Sequence, residues 1–196
     1  MRLFVAIEVP EGPRAEARRR LQAVRDRLPP ARWVDPEKIH LTLIFLGATE
    51  ERDLPTLSSA LGRAAAAHAP FSLALAGGGT FPPRRPARVA WIGVNAADTA
   101  GPAGPGLAAL QADVAAAAAD AVGYTPESRP FNPHITLARC PENWPRPAID
   151  TFTAAFAGPL GDPFPVSRIA LFESQLHPKG ARYRVVEAFS LAGEAA

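Results

Sequence analysis

Cysteine is nearly absent: Cys140 is the only one in 196 residues. A disulfide framework within one chain is therefore excluded. Cys140 also stands in no zinc-like spacing with a histidine, and no base or orienting partner marks it as a nucleophile. No uncharged apolar run approaches the ~20 residues that span a bilayer. Residues 1–10 are apolar but interrupted by Glu8, without the cationic start and long apolar stretch of a secretory signal. We therefore expect a cytoplasmic protein with no membrane partner. Charge of one sign is lacking too. With 21 Lys and Arg against 19 Asp and Glu, the net charge is +2, which permits an anionic ligand but argues against a long nucleic-acid track.

What the chain does have is apolar mass. Hydrophobic residues make up 47%, enough for one core in a chain this long. Twenty-two prolines shorten elements and stiffen loops. Strands are predicted at 2–9, 32–34, 40–47, 71–81, 88–95, 134–140, 166–172 and 183–191, from β-branched and apolar runs bounded by turn residues. Helices are predicted at 11–28, 50–67 and 107–122, with a shorter one within 145–157. The Gly101–Gly106 stretch breaks structure and reads as a surface loop. Several strand pairs have no helix between them, which argues for an α+β fold with largely antiparallel sheets.

One pattern occurs twice. His40-Leu41-Thr42-Leu43 and His134-Ile135-Thr136-Leu137 are both His, apolar, Thr, apolar, about half a chain length apart. On a strand, alternate side chains share a face. Each copy thus buries its apolar residues and presents an imidazole with a hydroxyl. A single strand histidine is more often a satisfied polar residue than a catalyst. Two such copies in a chain with four histidines are harder to assign to chance. Imidazole titrates near pH 6.5, so one ring can be neutral while the other is protonated. That pairing suits general acid and base catalysis. Threonine hydroxyls can donate hydrogen bonds to phosphoryl oxygens, which gain charge in the transition state. The residues alone do not say which ring is acid and which base.

At these residues the sequence resembles the two-histidine phosphoesterase superfamily, specifically its RNA 2',3'-cyclic phosphodiesterase (LigT-like, ThpR) branch. The resemblance starts at RLFVAIEVP and ARWVDPEKIHLTLIFLG, continues through FPPRRPARVAWIGV and RPFNPHITLAR, and closes at LFESQLHPKGARYRVV. It implies a single domain over residues 1–196, bilobal and α+β. Two pseudo-symmetric, mainly antiparallel sheets with outer helices would flank a cleft. It implies hydrolysis of a 2',3'-cyclic phosphate to a 2'-phosphomonoester, with His40 as proton donor and His134 as proton acceptor. Thr42 and Thr136 would bind the phosphate. It favours a substrate contact for Arg139 as well. Neither a cofactor nor a metal is expected, and the partners implied are RNA ends bearing the cyclic phosphate or small cyclic nucleotides. A 2'-5' RNA ligase side activity is associated with LigT-like proteins. A monomer is expected.

Other residues carry weaker signals. Arg139 lies three residues past Thr136 and falls on the opposite face unless a twist or bulge intervenes. Phe45 is an odd step from His40 and reads as core, as does Phe131. Trp33 and Trp91 read as core or cleft wall, and Tyr183 is a candidate for reaching the cleft. His68 reads as capping or solvent-exposed, and His177 as part of a turn. The rival functions are a non-hydrolytic RNA- or nucleotide-binding module, RNA-end ligation, and hydrolysis of a small cyclic phosphate. Two titratable groups speak against mere binding.

Overall fold

The computed structural model describes residues 1–83, 87–97, 104–175 and 181–193. His177 lies outside these residues, as do residues 84–86 of the proline-rich segment and residues 101–103 of the glycine-proline stretch. The elements run β1 Arg2–Glu8, α1 Glu11–Val24, β2 Arg32–Trp33, β3 His40–Ala48, α2 Leu54–Ala66, β4 Phe71–Phe81, β5 Ala87–Ala96, α3 Gly104–Val122, β6 His134–Trp144, α4 Arg146–Ala155, β7 Phe164–Val166, β8 Arg168–Gln175 and β9 Arg182–Ser190.

Two antiparallel sheets result. One has the order β3-β1-β8-β9 and the other β2-β6-β5-β4-β7. Leu3 to Ile7 of β1 are all buried, as fits a strand flanked on both edges and covered on both faces. One cluster of buried side chains takes in Leu41 and Leu43 of β3, Ile135 and Leu137 of β6, and apolar residues of all four helices. α3 packs against β3 of the first sheet and β5 of the second. Both sheets therefore turn their core faces toward one helix, and their other faces look away from it.

Several boundaries differ from the sequence reading. α1 stops at Val24, and a 3-10 turn over Arg25–Arg27 completes the predicted span before Pro29 and Pro30. Residues Glu51–Asp53 form a 3-10 turn, so α2 begins at Leu54 with Pro55 in its first turn, where no amide donor is needed. β6 runs past Cys140 to Trp144, which pairs with Ala87 of β5. The predicted strand 166–172 is two strands. β7 pairs with β4 and β8 with β1, so the chain changes sheets at Ser167. It makes a similar crossing between β2 and β3, where Val34 N–H donates to Leu137 C=O at 2.8 Å.

Candidate active site

The two His-x-Thr strands share an irregularity as well as a motif. Val5 pairs with Ile44 and Ala6 with Thr42, so Leu43 is an extra residue on β3. Ala90 pairs with Ala138 and Trp91 with Thr136, so Leu137 is an extra residue on β6. Each is a β-bulge one residue past the threonine, leaving two consecutive buried side chains and returning the next to the open face. The burial sequences agree: both strands begin half-buried, buried, half-buried, buried, buried, exposed. Phe45 and Arg139 are the exposed residues. Their partners settle the face. Phe45 pairs with Phe4 and Thr42 with Ala6, two residues apart on β1. Arg139 pairs with Val89 and Thr136 with Trp91, two residues apart on β5.

This corrects the reading of Phe45 as core. The bulge at Leu43 undoes the odd step, and the ring is 56% exposed on the face of His40 and Thr42. The same geometry puts Arg139 on the face of His134 and Thr136, the outcome the sequence made conditional on a bulge. β3 and β6 pack against each other across the junction of the sheets, with both histidine faces turned away from α3.

The histidines are tethered alike. Nδ1 of His40 lies 2.8 Å from the Lys38 carbonyl, and Nδ1 of His134 lies 2.7 Å from the Asn132 carbonyl. A carbonyl oxygen only accepts, so Nδ1 carries a proton in each ring and donates it. In the neutral form Nε2 is left as the free basic nitrogen. Sequence alone does not reveal this tautomer lock. Its only trace is that both histidines open their strands directly after a non-strand segment, which supplies the carbonyl two residues back.

Their surroundings differ. His40 stacks on Phe4, with centroids 4.9 Å apart and planes at 29°, and Tyr183 meets its edge at 5.2 Å and 89°. Phe4, Ala6, Ala170 and Phe172 form a second buried cluster beneath it, with Tyr183 packed at the side. The alanines leave room for the rings. Burial in this setting lowers the His40 pKa, and the Lys38 carbonyl, which favours the cation, only partly offsets it. Glu8, in register with His40, is engaged by Arg168 at 2.7 Å. His134 instead meets Phe81 edge-on at 5.0 Å and 88°, with Trp91 at 6.4 Å. The Trp91 ring lies across Gly79, where a Cβ would collide with its six-membered ring. Gly93, opposite His134, lies so close to the Ala76 carbonyl that a Cβ would sit 2.5 Å from its oxygen. Gly79 thus makes space for the Trp91 wall beside the second motif, while its neighbour Gly78 makes room for Phe156 in the core, roles the sequence reading did not find.

The sequence profile of the 2'-5' RNA ligase superfamily matches residues 9–178. The chain belongs to this superfamily, the two-histidine phosphoesterases. It is 38% identical over 197 aligned positions to the RNA 2',3'-cyclic phosphodiesterase of Thermus thermophilus, covering 99% of this chain and 92% of that protein. It is 27% identical to the RNA 2',3'-cyclic phosphodiesterase of Methanothermobacter thermautotrophicus, covering 97% and 99%. Among solved structures, it resembles TT0787 of Thermus thermophilus with a TM-score of 0.80, 35% identity and full coverage of both chains. It resembles Escherichia coli LigT complexed with 3'-AMP with a TM-score of 0.72, 28% identity and 97% coverage of both chains.

In this two-histidine phosphoesterase the remaining sequence candidates separate cleanly. Trp91 and Tyr183 stand on the histidine faces. Trp33 is on the core side, against Trp144, with Arg25 over it at 5.9 Å. Phe131 packs against the core, as expected. His68 is neither a simple cap nor free in solvent: its Nε2 lies 2.9 Å from Asp113 and ties the end of α2 to α3. Cys140 is buried, and its thiol is pushed up to about 11, which leaves it unreactive at neutral pH. Among the described residues no group of three or more His, Cys, Asp or Glu is placed to hold a metal ion. No helix among them is long and apolar enough to cross a membrane.

Proposed function

We propose that this chain hydrolyses RNA ends carrying a 2',3'-cyclic phosphate to 2'-phosphomonoesters, with His40 and His134 as its acid and base. The observation that carries the reading is the duplicated geometry: two strands, each with a half-buried histidine locked through Nδ1, a threonine beside it and a bulge one residue past the threonine. Family membership supports the substrate class, since the relatives just described are RNA 2',3'-cyclic phosphodiesterases.

In this reading the cyclic phosphate sits between the two strands. Nε2 of neutral His134 takes a proton from water as its oxygen bonds to phosphorus. Protonated His40 gives its Nε2 proton to the departing 3'-oxygen, and the phosphate stays on the 2'-oxygen. The division into donor and acceptor follows the family pattern. The hydroxyls of Thr42 and Thr136 hold the phosphoryl oxygens, which gain charge in the transition state. Arg139 lies on the same face and contacts substrate through phosphate or base. The exposed Phe45 ring offers a stacking surface for a base.

The 2'-5' ligation that names the superfamily needs only one change. A 5'-hydroxyl replaces water as nucleophile, and loss of the 3'-oxygen leaves a 2'-5' linkage; we assign this as a side activity. The protein is read as a cytoplasmic monomer whose two sheets form one domain. The test is product analysis on an oligonucleotide ending in 2',3'-cyclic phosphate, run in the presence of a chelator. The expected product is a 2'-phosphate at undiminished rate. A 3'-phosphate product reverses the leaving group, and activity lost in chelator and restored by a divalent ion overturns the metal-free mechanism.

A further inference from the structure

The two rims of the histidine face differ in chemistry. On the first sheet β3 is an edge strand, and the residue past its bulge is Phe45. On the second sheet β6 is flanked by one further strand, the two-residue β2, and the residue past its bulge is Arg139. β2 pairs Trp33 with Ala138 and Arg32 with Arg139. Residues directly opposite in an antiparallel pair point to the same face. Ala138 and Trp33 are on the core side, so Arg32 stands beside Arg139 on the side of Thr136 and His134. Both are exposed.

Two like charges directly opposite on neighbouring strands repel and cost stability. Some arginines are neutralised by carboxylates: Arg14 and Arg18 share Glu11 and Glu37, and Arg19 and Arg20 share Glu16. Arg32 and Arg139 enter none of the ion pairs made among the described residues. Such an arrangement suits an anion supplied from outside. Its place fits a second phosphate. Arg139 is one alternate-residue step beyond Thr136, about 7 Å along the strand, and Arg32 is one strand spacing further out, about 4.8 Å. Guanidinium forks at that remove grip a phosphodiester bidentately.

We propose that Arg32, next to Arg139, forms a subsite for the phosphodiester on the 5' side of the terminal nucleotide, so that the enzyme favours oligonucleotide ends over mononucleoside cyclic phosphates. This rests on the phosphodiesterase reading above and names the part of the substrate that sets specificity. A lone cyclic nucleotide carries no such phosphate and leaves the pair unanswered.

The test measures kcat/KM on three substrates: a nucleoside 2',3'-cyclic phosphate, a dinucleotide ending in the same group, and that dinucleotide with a neutral methylphosphonate linkage. The native enzyme is expected to prefer the phosphodiester dinucleotide to the methylphosphonate one by about tenfold, the scale of a charge-assisted contact. In Arg32→Gln the ratio of dinucleotide to mononucleotide kcat/KM is expected to fall by a similar factor, mainly through KM. Arg32→Lys should recover part of it. The Tm of Arg32→Gln should not fall, because one of two repelling charges is gone. An unchanged ratio in Arg32→Gln, or equal rates on charged and neutral linkages, overturns the subsite while leaving the phosphodiesterase reading intact. Failure of the native enzyme on all three substrates overturns that reading itself, and the subsite with it.

Discussion

The imidazole of His40 rests on Phe4, and burial holds its pKa below the usual histidine value. A proton donor placed there is mostly neutral in the free enzyme at pH 7, and an anionic phosphate beside it restores the proton. The sign follows. An acid works only when protonated, and its protonated fraction falls as pH rises through its pKa. With His40 as the acid, the burial that lowers its pKa displaces the loss of kcat/KM at high pH toward lower pH than an exposed imidazole would give. The residual activity of His40→Ala should lose that alkaline limb, and that of His134→Ala should lose the acid limb. A pH profile with the limbs exchanged would swap the roles. Thr42→Ala and Thr136→Ala should each cost about 1–3 kcal/mol of transition-state stabilisation, the range for one hydrogen bond to a charged group, read from kcat/KM. Phe45→Ala should raise KM by about tenfold, within the ~1–3 kcal/mol range for one base stacked on an aromatic ring, with little change in kcat. A change confined to kcat would contradict a stacking role.

At the scale of the strand, the placement of the motif depends on two bulges and a few glycines. Gly93→Ala sets a Cβ 2.5 Å from the Ala76 carbonyl oxygen, and the obstacle is backbone that cannot swing aside. Denaturant melts should show a loss of about 1–3 kcal/mol, the usual cost of overpacking. An unchanged midpoint would mean that β4 and β5 adjust freely beside His134. Period-2 counting in the sequence identified which residues of each motif are buried and which are presented, because that counting needs only a few regular residues. It failed at Phe45 and stayed conditional at Arg139 for one reason: nothing in LTLIF or ITLAR marks the inserted Leu43 or Leu137. The break at Ser167 was equally hidden. Val166 to Phe172 is a nearly unbroken β-forming run, and only the pairing of its halves with β4 and β1 divides it. The tautomer lock was illegible too, because it is a contact with backbone carbonyls, which every sequence supplies.

Across the whole molecule, both sheets and all four helices feed one buried cluster, and the chain passes between sheets at 8–32, 33–40, 48–71 and Ser167. Neither sheet closes its core alone. Unfolding should accordingly be a single cooperative transition, with tryptophan fluorescence and far-UV circular dichroism giving the same midpoint. Two separated transitions would instead mark two independent lobes. The same construction makes catalysis a joint property, since His40 and His134 belong to different sheets. The most direct test compares turnover of a 2',3'-cyclic phosphate-terminated RNA by the native protein, His40→Ala, His134→Ala and the double variant, all shown to be folded. Each single change is expected to lower kcat by about 10²–10⁴-fold, the contribution of one general acid or base. The double variant should lose less than the product of the two, as for groups acting on one transition state. Near-native turnover in either single variant would contradict the paired-histidine account.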